Sequence, residues 1–406
     1  MNFSSSRDLL ARLLVFLVVG SSAFAQVSET ARAVHSRALV FDAHVHAIDR
    51  EFYHGGDIGT RKPDGQFDLV RAREGGLGAL FFSVYVPEDY YPAHLETKQA
   101  LRVIDCALNQ IKTNHNTIEL AFNADDVERI HRVGKIAAVL DIEGSYDLDG
   151  DLGVLRDLYR LGLRSAQLSA HNSAQAYADA CCSPSRSHGL SSRGRDVIRE
   201  MNRLGMVINV AHASDDAISQ AIEISSVPIM VTHGGMRAIN DIPRNMPDWL
   251  LKKLAARGGV IGFQIGNDFH NPKAFAYRTA HTGKAFWSAP ENAAREAHMT
   301  TEQVDALVAP QFPMLPFELP DSLRMSVDDW VAVVDRAIQL IGEDHVALGT
   351  DFDGGPPPPR DFRDVRDLPL ITESMVRRGY SEERIDKFLG GNVLCVFRQV
   401  TQEQPR

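Results

Sequence analysis

At 406 residues, with 44% hydrophobic and 24% charged side chains, the chain can bury a large core. It exceeds the roughly 250 residues that one α/β barrel needs, which favours one elaborated domain over two. A formal net charge of -10 with no basic run argues against nucleic acid or an acidic membrane as partner, because such binding draws on clustered Lys and Arg that release counterions.

The first residues have the form of an export signal. Arg7 and Arg12 precede the apolar run Leu13 to Val19, and Ala23-Phe24-Ala25 places small residues where a signal peptidase inspects them. The expectation is a signal peptide over residues 1–25, cleaved after Ala25, and a secreted or periplasmic chain over 26–406. The apolar run is shorter than the roughly 20 residues that span a bilayer, and no later segment is long and uncharged enough to do so. Four cysteines, Cys106, Cys181, Cys182 and Cys395, are too few for a disulfide scaffold or a CxxC zinc site. A bond between the adjacent Cys181 and Cys182 would be strained, so free or partly paired cysteines are expected.

Short Val-, Ile- and Phe-rich runs then alternate with amphipathic stretches, the pattern of repeated βα units around a parallel sheet. The predicted strands are Ala38 to Asp42, Gly78 to Val86, Ile136 to Ile142, Arg164 to Ser169, Met206 to Ala211, Pro228 to Thr232, Val260 to Ile265 and His345 to Gly349. Helices are predicted at Asp125 to Arg132, Arg193 to Leu204, Asp215 to Ile224, Asp248 to Arg257 and Val327 to Ile341, with Asp215 and Ser326 at N-cap positions. Near-continuous apolar runs imply strands buried on both faces. Eight such units predict a (β/α)₈ TIM barrel; a doubly wound open sheet is the alternative. Asn267 to Asp321 breaks the rhythm and reads as a long insertion, a helical excursion or lid beside the barrel mouth, and Gly354 to Pro359 as a stiff loop after the last strand.

The chemistry stands at the strand ends. Strand one runs into Asp42-Ala43-His44-Val45-His46, strand three into Asp141-Ile142-Glu143-Gly144 and strand four into His171. Strand five ends in His212, strand six in His233 and strand eight in Asp351. In a (β/α)₈ barrel these ends converge on one mouth. His44 and His46 lie two apart on an extended strand and point to the same side, so both imidazoles can reach one cation. An HxH pair alone is weak evidence, but Glu143, His212 and His233 arrive independently, and a carboxylate can bridge two ions. Nitrogen and oxygen donors without thiolate suit two Zn²⁺ ions, with Mn²⁺ or Co²⁺ also fitting. Asp351 reads as the proton shuttle, ligating or hydrogen-bonding a water that two cations acidify. His35, His115, His131 and His188 fall in helical or loop patterns and are expected to be solvated. The glycines of Thr232-His233-Gly234-Gly235 are expected to allow a tight turn.

The segments Asp42-Ala43-His44, Asp141 to Gly144, Leu168 to His171, Val210 to Ser214, Thr232-His233, Pro243 to Asp248 and Gly349 to Gly354 resemble, in order, the signature blocks of the membrane (renal) dipeptidase family, peptidase family M19 of the amidohydrolase-like superfamily. The resemblance implies a binuclear zinc barrel that cleaves dipeptides through a metal-bridging hydroxide, often tolerating a D-residue at the C-terminal position, and it suggests a homodimer. It implies that His44 binds the first ion, Glu143 bridges both, and His212 and His233 bind the second. Asp351 would carry the proton from the attacking hydroxide to the leaving amine, His171 would stabilise the scissile carbonyl, and Arg244 would pair with the dipeptide carboxylate. One position departs. The family typically has His-x-Asp after strand one, whereas His46 replaces the anionic ligand with a neutral one. Retention of the first ion should weaken, and acidification of water should strengthen.

Two further readings stand beside the dipeptidase. One is a related hydrolase of lactones, cyclic amides or β-lactams; the other is a non-catalytic exported binding protein that kept the barrel.

Overall fold

The computed structural model describes residues 27–144, 151–169, 177–282 and 298–402. Nine strands form one parallel sheet: β1 (Val40–Val45), β2 (Leu77–Val86), β3 (Ile118–Leu120), β4 (Ile136–Gly144), β5 (Leu163–Gln167), β6 (Val207–Asn209), β7 (Met230–Gly234), β8 (Val260–Phe263) and β9 (Val346–Leu348). Eight of them follow one another in the order β1-β2-β4-β5-β6-β7-β8-β9. Each overlaps a predicted strand. The unpredicted β3 pairs with the first half of β4, on the edge that β5 takes over from Leu140 onward.

The barrel closes between β9 and β1. Val45 bridges Phe352 in parallel register, the His46 amide donates to the Phe352 carbonyl at 2.9 Å, and the Asp351 amide donates to the His44 carbonyl at 3.0 Å. The buried Asp42 carboxylate reinforces this seam, accepting from Thr350 Oγ1 at 2.5 Å, Thr350 N at 2.9 Å and His44 N at 3.1 Å. An open doubly wound sheet would leave these strands apart.

Alternation along the strands sorts the core into two sets. Phe41, Phe81, Val139, Val207, Met230, Val260 and Ala347 share one cluster with Val127 and Ile130 of the helix Ala124–Arg132 and with Val393, Val396, Phe397 and Val400 of the helix Asn392–Gln402. Their neighbours in sequence, such as Leu80, Leu140, Ile208, Ile261 and Leu348, join the larger cluster under the surrounding helices. The predicted helices are present, with one adjustment at a cap. Ser326 caps Val327–Ile341 as expected, but Ser214 caps Asp215–Ile224, leaving Asp215 in the first turn.

The excursion after β8 contains the helices Asn267–His270, Pro272–Thr282 and Thr301–Val308. Asn267 ties its start to the proline loop, donating to the carbonyls of Pro357 and Pro358. Asp305 ties its later part down, accepting from Tyr90 at 2.5 Å and Arg102 at 2.6 Å.

Two sequence expectations need correction. Cys181 and Cys182 are bonded to each other, while Cys106 and Cys395 are free. Adjacency does not forbid the bond, because the surrounding turn is ordered: the Cys181 amide donates to the His212 carbonyl at 2.7 Å and Ala180 bridges Ala213. His35 is buried, not solvated; its ring nitrogens meet Thr372 Oγ1 at 2.7 Å and Gly75 O at 2.8 Å, linking the helix Glu29–Arg37 to the outer shell.

His270 gives a pH prediction. Its Nε2 donates to Gln264 O at 2.7 Å, while its buried Nδ1 has no hydrogen-bond partner. Burial pushes its pKa down to about 4, the bond to Gln264 opposing only part of that. The unfolded chain therefore takes up the proton first, and stability falls as pH drops from about 6.5 toward 4, by roughly 3 kcal/mol in all. In urea melts at pH 7 and 4.5, wild type should lose more stability than His270→Gln; equal losses would refute the assignment.

Candidate metal centre

Six buried side chains meet at the mouth. His44, His46, Glu143, His212, His233 and Asp351 are each at most 6% exposed. Three overlapping groups have donor atoms within 4.8 Å of one another: His44-His46-Glu143, His44-His233-Asp351, and Glu143-His212-His233.

The backbone bends to bring them there. A register shift between Asp42 and Val45 interrupts the β1 ladder beside β2. His212 and Asp351 adopt φ of 65° and 62° just past their strands, and Asp353 follows at 60°. Non-glycine residues rarely take this conformation, and it costs of order 1–3 kcal/mol each. Gly354 makes room for the second of these bends, since a Cβ there would lie 2.0 Å from Asp351 Oδ1. The glycines after His233 serve close packing instead of the expected turn geometry. Neither has positive φ, and a Cβ on Gly235 would meet Asn245 Oδ1 at 2.6 Å.

The imidazoles form two pairs joined through Glu143. His44 Nε2 and His46 Nε2 are 3.3 Å apart, and His212 Nε2 and His233 Nε2 are 3.0 Å apart. Glu143 turns Oε2 to the first pair, in close contact with His44 and 3.6 Å from His46. It turns Oε1 to the second, 3.1 Å from His212 and 3.9 Å from His233. Asp351 Oδ1 lies 3.4 Å from His46 Nε2 and 3.9 Å from His44 Nε2.

Such a donor set fits divalent metal. Ring nitrogens converge on one another and on carboxylate oxygens, and all donors are nitrogen or oxygen. Burial works against charge on His44, yet Glu143 and Asp141 outweigh it and lift its pKa to about 9, whereas burial and the neighbouring His44 hold His233 well below the usual range.

A second layer orients the first. Thr232 Oγ1 meets His233 Nδ1 at 3.1 Å, and Asp49 Oδ2 meets His46 Nδ1 at 2.8 Å. Asp141 Oδ2 stands 3.6 Å from His44 Nδ1 and accepts from Asn209 at 3.2 Å. Gln264 Nε2 donates to Asp351 Oδ2 at 3.1 Å. Sequence reasoning missed Asp49 and Gln264 as functional residues. Gln264 could have been found, since it lies in the predicted strand Val260 to Ile265, where the strand-end argument applies.

Arg244 lies at the edge of the cluster, 5% exposed. Asn245 holds its loop, donating to the carbonyls of Asn240 and Phe269 at 3.0 and 2.8 Å. Arg244 Nη2 donates to His233 O at 3.0 Å, its Nε has no hydrogen-bond partner, and no carboxylate lies within ion-pair distance among the described residues. Burial lowers its pKa to about 10, so the guanidinium is charged at neutral pH. His171 lies outside the described residues.

A buried nitrogen and oxygen cluster at the strand-end mouth of an eight-stranded parallel barrel defines a metallopeptidase-type hydrolase fold. The chain belongs to the membrane dipeptidase family, peptidase family M19, whose sequence model matches residues 28–406, and it is an enzyme of the metallodipeptidase class. It is 33% identical over 349 residues to dipeptidase tcpJ of Claviceps purpurea, a match spanning 84% of this chain and 71% of that one. Its fold is similar to that of the probable dipeptidase PvdM of Pseudomonas aeruginosa, with a TM-score of 0.75 at 23% identity over 92% of this chain and 98% of that one. A metallopeptidase from Rhodobacter sphaeroides, liganded with a phosphinate mimic of L-Ala-D-Ala, gives a TM-score of 0.69 at 22% identity over 89% and 99%. No helix among the described residues is long and apolar enough to cross a membrane.

Proposed function

We propose that this chain is an exported, zinc-dependent dipeptidase that hydrolyses the amide bond of dipeptides, including those with a D-residue at the C-terminal position. The observation that carries the reading is the division of Glu143, one oxygen to each histidine pair. His44, His46 and Glu143 would hold one Zn²⁺, and Glu143, His212 and His233 the other. When bound, the cations supply Lewis acidity, which polarises a carbonyl and lowers the pKa of water.

The chain's own residues do the rest. Asp351, held through Oδ2 by Gln264, keeps Oδ1 toward the cluster, where it takes a proton from the attacking water and returns it to the leaving amine. Arg244 binds the substrate's terminal carboxylate, the anion its buried guanidinium lacks. His171 stabilises the negative oxygen of the tetrahedral intermediate. The D-residue preference draws on the L-Ala-D-Ala mimic held by the Rhodobacter relative. The signal-like residues 1–25 support export, with 26–406 as one catalytic domain.

The deciding experiment combines metal analysis with a panel of L,L and L,D dipeptides. Purified protein should hold about two Zn²⁺, lose activity to a chelator and regain it with zinc. Zinc retention without release of amino acids would remove the dipeptidase reading and direct attention to lactones and β-lactams. No metal and no turnover would favour a binding protein.

A further inference from the structure

Resting on the two-metal reading above, we infer that Asp49 is a positioning residue that makes His46 serve where the family pattern has a carboxylate. As a ligand His46 would be neutral at a place where Asp is usual, and a neutral ligand alone leaves the first cation less well held. Asp49 supplies the missing charge at one remove. Its Oδ2 is 2.8 Å from His46 Nδ1, and both residues are buried, at 3% and 5% exposure.

This contact fixes the tautomer. With the Nδ1 proton donated to Asp49, His46 Nε2 carries the free lone pair, and Nε2 is the atom that faces the cluster: 3.3 Å from His44 Nε2, 3.4 Å from Asp351 Oδ1 and 3.6 Å from Glu143 Oε2. A carboxylate behind a ligating imidazole raises its basicity and locks the ring orientation. The local sequence delivers the group. Asp49 is the first residue of the short helix Asp49–His54, three places after His46, so the chain turns back and brings the carboxylate behind the ring.

A helix-capping role does not account for Asp49. The N-cap is Ile48, with no side-chain cap bond, and the other carboxylate oxygen, Oδ1, is buried without a hydrogen-bond partner among the described residues. A buried carboxylate with one oxygen on an imidazole and the other on nothing costs stability unless positive charge lies beyond that imidazole. Four carboxylates, those of Asp49, Asp141, Glu143 and Asp351, stand against or among these imidazoles.

The test compares wild type, Asp49→Asn, His46→Asp and the double variant His46→Asp/Asp49→Asn. Each is stripped of metal and titrated with Zn²⁺ against a chromogenic chelator, and with Co²⁺ while the visible spectrum is recorded. Asp49→Asn should weaken one of the two zinc sites by about 10- to 100-fold and alter the Co²⁺ spectrum, leaving the other site near wild type. In the His46→Asp background the same change should alter affinity by less than about twofold, because the ligand then carries its own charge. Wild-type affinity at both sites in Asp49→Asn, or equal weakening in both backgrounds, overturns the inference. Should Asp49→Asn not fold, a folded double variant that binds two ions supports it, and an unfolded one overturns it. A wild-type chain that binds no metal refutes the two-metal reading itself, a result distinct from any of these.

Discussion

Replacing Glu143 by alanine will leave a folded barrel that holds at most one zinc ion and turns over dipeptides at least about a thousandfold more slowly, the loss expected when several kcal/mol of metal-derived stabilisation go. The expectation follows from its position between the histidine pairs, with Oε2 toward His44 and His46 and Oε1 toward His212 and His233. Removing it takes from both pairs the carboxylate they share and leaves His212 and His233 facing one another, while Asp351 stays near His44 and His46. Metal analysis, circular dichroism and kcat/KM on one preparation check the claim. A variant that keeps two ions and loses activity would show that Glu143 acts in chemistry and not in holding metal. Full activity would remove it from the site.

Asp351→Asn should behave differently. Asparagine keeps the shape and can still face Gln264, but it cannot take up and return a proton. We expect kcat to fall by about 10²- to 10⁴-fold, with KM within a few fold of wild type and zinc content largely retained, because general acid–base catalysis is typically worth that much. Substantial zinc loss would show that the carboxylate serves chiefly as a ligand. Unchanged kcat would show that the proton moves through another group.

Much of this was legible in the sequence because a barrel converts strand ends into neighbours. Once the eight strands were placed, His44, His46, Glu143, His212, His233 and Asp351 had only one mouth at which to meet, and boundary errors of a few residues did not matter. What the sequence hid lay where that periodicity gives no purchase. The short β3 has three residues and adds to an edge instead of continuing the barrel. The helix Asn392–Gln402 turns one buried face, with Phe397, onto Phe81 and its neighbours, a placement set by packing between distant segments that the βα rhythm does not report. His35 read as solvated because its helix looked peripheral, although the outer shell covers it. Asp49 escaped notice for a different reason. Its importance depends on the direction of one imidazole, and no pattern of residue types reports a direction.

The seam between β9 and β1 has a consequence for how such a protein comes into being. Residues on the two sides of the seam, His44 and Asp351 among them, stand about 300 positions apart in the chain. A pair of cations held across them would act as a clasp, stabilising the closed barrel because they bind the folded chain and not the unfolded one. A growing polypeptide could not assemble the pocket until Asp351 had been added to it. Cleavage of peptides would thus be withheld from every chain that stops short of Asp351.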